Sequence, residues 1–164
     1  MEAGWTQSLQ KLEALAAAVV SDPAREIVTE RLVDAPRELV WRAWTVSAHL
    51  ANWWGPQGFR NTIHEHDLRP GGNWRFTMHG PDGRDWENHS VYVEVAKPER
   101  IVFDHLSQHR FRVIATFAAE ADKTRVRFCM RFQDAGACER SREFVPAKNE
   151  ENFDRLEEEL ARMR

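Results

Sequence analysis

Between Thr124 and Phe132 apolar and polar side chains alternate without a break. Val126, Phe128, Met130 and Phe132 point one way; Arg125, Arg127, Cys129 and Arg131 point the other. A period of two places successive side chains on opposite faces of an extended chain. Such a strand belongs in an antiparallel sheet with one face buried and one wet. It also obliges the chain to supply something apolar that covers the buried face.

The same period recurs upstream. Arg60–Leu68, Asn73–His79, Glu87–Ala96, Arg100–Leu106 and Phe111–Ala119 read as strands. Turn chemistry separates several of them: Pro70-Gly71-Gly72, Gly80-Pro81-Asp82-Gly83, Lys97-Pro98-Glu99 and Ala121-Asp122-Lys123. Glu26–Val33 precedes them as a first strand. Pro36 fits the first position of a helix running to about Thr45, with Val40 and Trp44 one turn apart. A second short helix, Ser47–Trp54, is expected to be capped by Ser47 and stopped by Gly55-Pro56. The chain closes on a helical region from Ala137 to about Met163, which Pro146 should kink or divide. Phe153, Leu156 and Leu160 share a face of its second half. Only this last element is long enough to cover the sheet, so the expected architecture is α+β. A curved antiparallel sheet of about six to seven strands wraps a long C-terminal helix, with two short helices after the first strand. An amphipathic helix over Trp5–Val20, with Trp5, Leu9, Leu12, Ala16 and Val19 at helical spacing, precedes all of this. Residues 1–22 are therefore expected to form a helical extension and 23–164 the ligand-binding domain, with a homodimer through the extension as one outcome.

Charge and cysteine usage narrow the function. A formal net charge of -3 lacks the basic footprint of a nucleic-acid binder. No apolar run reaches the length that spans a bilayer. Acidic Glu2, with no basic cluster, argues against a signal peptide. Cys129 and Cys138 have no metal-ligand spacing, and a reducing, cytoplasmic setting fits them. Seven Trp and nine Phe stand against one Tyr. Rings of that kind build either a large core or the wall of a cavity.

The motifs resemble a known family. Asp34-Ala35-Pro36 leading to Val40-Trp41, then Trp53-Trp54-Gly55-Pro56 and Leu68-Arg69-Pro70-Gly71-Gly72, are similar to the family named after the activator of heat-shock protein 90 ATPase (AHSA1-like). Met78 to Gly83, Pro98 to Phe103 and Asn149 to Leu156 extend the likeness, which runs from about Arg25 to Met163. The family sits in the START-like, or SRPBCC, superfamily, so the resemblance implies the helix-grip fold. It also implies a pocket for an apolar or amphipathic molecule such as a lipid, sterol or polyketide. It carries no catalytic motif and no cofactor. Its chaperone partner is only weakly implied, because the chaperone-binding domain of the eukaryotic activators has no counterpart here.

The expected pocket wall comprises Trp44, Trp53, Trp54, Phe59, Trp74, Phe76, Met78, Val91, Val93, Phe103, His105, Phe117, Phe128, Met130 and Phe153. Of Trp53 and Trp54, adjacent on a helix, one is expected in the core and one at the mouth. His105, in phase with Ile101 and Phe103, is expected to point inward and orient a ligand. His64 and His66, two apart on a strand, should share a face but lack a third metal ligand, so no metal is expected. Glu65 and Asp67 share the opposite face; a solvated position fits them better than acid–base work. Arg125, Arg127 and Arg131, joined by Arg112, read as a basic outer face. Two alternatives remain open: a cyclase, dehydratase or hydrolase acting in the same pocket, and a chaperone-associated interaction module.

Overall fold

The computed structural model describes residues 21–164, so the helix expected over Trp5–Val20 lies outside the described residues. In chain order the elements are β1 (Glu26–Val33), α1 (Arg37–Thr45), α2 (Ser47–Trp53), β2 (Arg60–His66), β3 (Asn73–His79), β4 (Asp85–Ala96), β5 (Arg100–His105), β6 (Phe111–Glu120), β7 (Lys123–Phe132), α3 (Ala135–Ser141) and α4 (Val145–Arg162). The seven strands form one curved antiparallel sheet ordered β1-β7-β6-β5-β4-β3-β2. Strands β2 to β7 follow one another as a meander, and β1 joins the far side against β7.

The alternation of β7 is realised as written. Val126, Phe128, Met130 and Phe132 are buried on the concave face, opposite Phe117, Ala115, Val113 and Phe111 of β6. Phe153, Leu156 and Leu160 of α4 close over that face and are almost fully buried. Each such side chain stabilises the fold by roughly 1.5–3 kcal/mol through the apolar area it removes from water. The convex face is not purely wet. Val102, Ile114 and Cys129 form a second, smaller buried cluster there. Beside it Glu26 accepts hydrogen bonds from Arg131 at 2.7 Å and from the Cys129 thiol at 3.3 Å. Burial, reinforced by that carboxylate, pushes the Cys129 pKa up to about 12.

α4 is fastened to the α2–β2 connection as well as laid on the sheet. The Arg155 guanidinium donates to the carbonyls of Asn52, Trp54, Gly55 and Pro56 at 2.9–3.1 Å. Asn152 Oδ1 accepts the Gly55 N–H at 3.0 Å, and Glu151 accepts that of Gln57. At the other flank Asn149 donates to Thr29 Oγ1 of β1. The Asn149-to-Leu156 segment is thus a run of polar clips alternating with the core residues Phe153 and Leu156.

Several local expectations need correction. Pro36 sits at the N-cap of α1, one residue before the helix begins. Ser47 does not cap α2: Val46 holds the N-cap position, and the Ser47 hydroxyl pairs with His66 Nδ1 at 2.9 Å. Pro146 falls in the first turn of α4, where its missing N–H costs nothing, and the C-terminal region is divided ahead of it into α3 and α4. His64 and His66 do not share a face. A register irregularity between Ile63 and Glu65 re-phases β2, turning His66 toward Trp74 and Tyr92 while His64 meets Thr77 on the other side.

Candidate functional site

Rings meet at the centre of the grip. Trp54 lies 5.4 Å from Trp53, 5.8 Å from Trp44, 5.1 Å from Trp74, 6.0 Å from Phe103 and 6.1 Å from Phe128, measured between ring centroids. Phe76 stacks on Trp74 at 4.5 Å, Phe117 sits 5.4 Å from Trp44, and Phe153 sits 6.3 Å from Phe128. Aromatic pairs at these separations are in direct contact. The rings expected to wall an internal pocket therefore touch one another in one cluster. Trp53 is fully buried with its indole N–H on the Ala43 carbonyl, and Trp54 is half-buried at the centre of the ring contacts.

Val91 and Val93 are displaced from the expected wall. The register pairs Trp74 with Ser90, Phe76 with Asn88 and Met78 with Trp86, so the even-numbered residues of β4 face inward. Val93 packs instead on the convex cluster with Val102, Ile114 and Cys129, and Val91 pairs with outward-facing Asp104. A second irregularity between Tyr92 and Glu94 then returns Val95 to the main core. The apolar alternation at Val91 and Val93 was real but belonged to the other face. The inner face carries Asn88, Ser90 and Tyr92, polar residues that a buried face accepts when they are satisfied. The Tyr92 hydroxyl pairs with His66 Nε2 at 2.8 Å, and burial holds its pKa well above the usual tyrosine value. Ser90 Oγ and Trp74 Nε1, registered opposite each other, are buried without a hydrogen-bond partner.

His105 does not reach the centre either. Its Nδ1 donates to the His109 carbonyl at 2.9 Å, and Nε2 lies 2.9 Å from the Asn88 side-chain amide. The ring stacks on Phe111 with centroids 4.6 Å apart. It fastens the β5–β6 loop, and burial holds its pKa below the ordinary histidine value. Hydroxyl–imidazole relays include Ser47–His66–Tyr92, which ties the start of α2 to the sheet, and Thr62–His79–Asp85, with both contacts at 2.7 Å, which joins β2, β3 and β4 at the hairpin end. Burial depresses the pKa of His66, against the opposing pull of Asp67.

Space opens at the end of the grip. Pro56 and Phe59 from the α2–β2 connection, Met78, Pro81 and Asp82 from the β3–β4 hairpin, Trp86 and Asn88 from β4, and Gln108 from the β5–β6 loop surround a cleft of about 490 Å3. Two of these, Phe59 and Met78, belong to the set expected from the sequence. Trp86, 42% exposed, was not anticipated, although the register places it directly opposite Met78. A tight turn over Gly80–Gly83 pairs His79 with Asp85, and counting one residue further on each strand finds Trp86. Gln108 holds φ at 53°, and its side-chain amide donates to the Glu87 carbonyl, which folds the β5–β6 loop against the hairpin. Gly55 sets the opposite lip with φ at 99°; a Cβ there would lie 2.5 Å from Met78 Cε.

A curved antiparallel sheet closed over a long C-terminal helix, with two short helices after its first strand, is the helix-grip architecture of START-like proteins. Over residues 34–161 the chain matches the family described as activator of Hsp90 ATPase homolog 1-like protein, and it belongs to that family. Solved structures share the fold at low identity. A Nitrosomonas europaea protein superposes with a TM-score of 0.81 at 21% identity, covering 89% of this chain and 100% of its own. An Arthrobacter aurescens protein gives 0.79 at 19%, covering 87% and 90%. The AHSA1 protein of Silicibacter pomeroyi gives 0.69 at 19%, covering 85% and 99%. No curated protein matches the chain. Among the described residues, no helix is long and apolar enough to cross a membrane.

Proposed function

We propose that the protein binds a small apolar or amphipathic molecule non-covalently, in the cleft between the β3–β4 hairpin and the α2–β2 connection. The observation that carries this is Trp86. A large ring stands 42% exposed beside Phe59, Met78, Pro56 and Pro81, in a cleft of about 490 Å3. Concave, mostly apolar sites of roughly 300–1,000 Å3 with a few polar groups are typical of small-molecule binding. Here the polar groups are Asp82, Asn88 and Gln108. Met78 adds an adaptable wall, which suits ligands of varied shape. The family's START-like fold supports the same function.

The test uses N-phenyl-1-naphthylamine, a neutral apolar fluorophore. The native protein should bind it one to one with enhanced emission, and Trp86→Ala should weaken binding about tenfold, since burying one large side chain is worth about 1.4 kcal/mol or more. Undiminished affinity in both Trp86→Ala and Met78→Ala would move the site elsewhere. Native mass spectrometry of the protein as isolated from cells would then name the ligand class.

A further inference from the structure

Beyond Gln108 a second cleft opens, of about 570 Å3, between the β5–β6 loop, the end of β7 and the α3–α4 corner. Its floor is apolar: Phe111 is half-buried, and Met130 and Phe132 are buried. Phe144, in the short connection between α3 and α4, stands over it 56% exposed, the most exposed large hydrophobic side chain among the described residues. Two cations border the same cleft, Arg110 from the β5–β6 loop and Arg140 from α3.

Most arginines of this fold lean on a carboxylate, as Arg112 does on Asp104 at 2.7 Å and Arg100 on Glu94 at 2.7 Å. Arg110 and Arg140 are exposed and make no ion pair or side-chain hydrogen bond with any described residue. Arg37, Arg42, Arg60 and Arg127 also have no carboxylate partner among the described residues, but none of them lines this cleft. The acid on the rim, Asp134, caps α3 through Oδ1, which accepts the Ala137 N–H at 2.7 Å, and makes no ion pair with either arginine. The His109 carbonyl is taken by His105. The cleft therefore combines an aromatic and thioether floor, an exposed ring and two uncommitted guanidiniums.

We propose that this second cleft binds an anionic amphiphile of the fatty-acid type. The carboxylate lies with Arg110 and Arg140, and the hydrocarbon chain lies on Phe111, Met130, Phe132 and Phe144. A guanidinium presents paired N–H donors in a fixed fork that matches a carboxylate, which favours this head group over a neutral hydroxyl. The apolar floor excludes a purely polar anion as the preferred occupant, because its rings gain nothing from one. This site is independent of the Trp86 cleft and stands if that one fails.

Calorimetric titration with decanoate at low ionic strength tests it, with decanol as the uncharged control. Decanoate should bind one to one, at least about tenfold more tightly than decanol, and more weakly as salt is raised. The Arg110→Gln/Arg140→Gln double variant should lose at least about tenfold in decanoate affinity while keeping native binding of N-phenyl-1-naphthylamine. Trp86→Ala should leave decanoate binding intact, and Phe144→Ala should weaken it. Equal affinity for decanoate and decanol, or a double variant that binds decanoate like the native protein, overturns the proposal. Co-sedimentation with phosphatidylglycerol vesicles without binding of decanoate overturns it too, by making the basic rim a lipid-surface contact. All substituted side chains are exposed, so the variants should fold.

Discussion

Gly55 illustrates how one residue joins fold and site. Its backbone lies at φ 99°, its N–H is held by Asn152, and its carbonyl is held by Arg155. An L-residue in a left-handed conformation costs roughly 1–2 kcal/mol, so Gly55→Ala should lower stability by about that amount in urea unfolding. The Cβ would also push Met78 Cε, the flexible end of a cleft side chain, so affinity for N-phenyl-1-naphthylamine should change as well. At this scale the sequence was partly legible. Gly55-Pro56 announced a helix stop, and α2 ends just before it, at Trp53. Which tryptophan faces what was not legible, because that depends on strands far along the chain. Trp54 meets Trp74, Phe103 and Phe128 together. Trp86 escaped notice because it follows six polar or turn-forming residues and has no apolar neighbour at a spacing of two.

The decisive element is α4 with its clips. Arg155 is 9% exposed and answers four backbone carbonyls with no carboxylate partner, and burial depresses its pKa. Those carbonyls end α2 and begin the connection bearing Pro56 and Phe59, so the guanidinium holds the lip of the first cleft to the long helix. Arg155→Met keeps most of the side-chain volume but leaves several carbonyls unsatisfied. It should cost about 3 kcal/mol by urea unfolding, given about 1–3 kcal/mol for each uncompensated buried polar group and partial rescue by water. β4 shows the opposite case. Val91 and Val93 marked a strand correctly but pointed to the wrong face, because period two is silent about which side is concave. Its inner polar residues are tolerated largely through partners: His66 from β2 for the Tyr92 hydroxyl, and the Trp86 carbonyl for the Asn88 amide N–H.

Across the whole molecule, histidines set the response to acid. His66, His89 and His105 all have depressed pKa values, each chiefly because burial disfavours the charged ring. A depressed histidine pKa means the unfolded chain takes up the proton first as pH falls. Its contribution to stability is complete above the unfolded value of about 6.5 and is lost below it. Glu26 and Glu159, held below the usual carboxylate range by hydrogen bonds from Asp22, Arg131 and His49 that outweigh their burial, contribute above about pH 4.5 and lose that contribution as pH falls further. The urea midpoint should therefore be flat from pH 8 to about 7, decline from about 6.5, and decline again in the acid range. His66→Phe should shrink the first decline; an unchanged pH profile in that variant would remove His66 from the account. Local periodicity, turn chemistry and helix faces were enough to determine that this chain forms an antiparallel meander gripping a C-terminal helix, since each is set by neighbouring residues. Where the open space lies was decided only by tertiary structure. Rings contributed from positions as distant as Trp44 and Phe153 meet in one cluster, and open clefts lie at the ends of the strands, where loops converge.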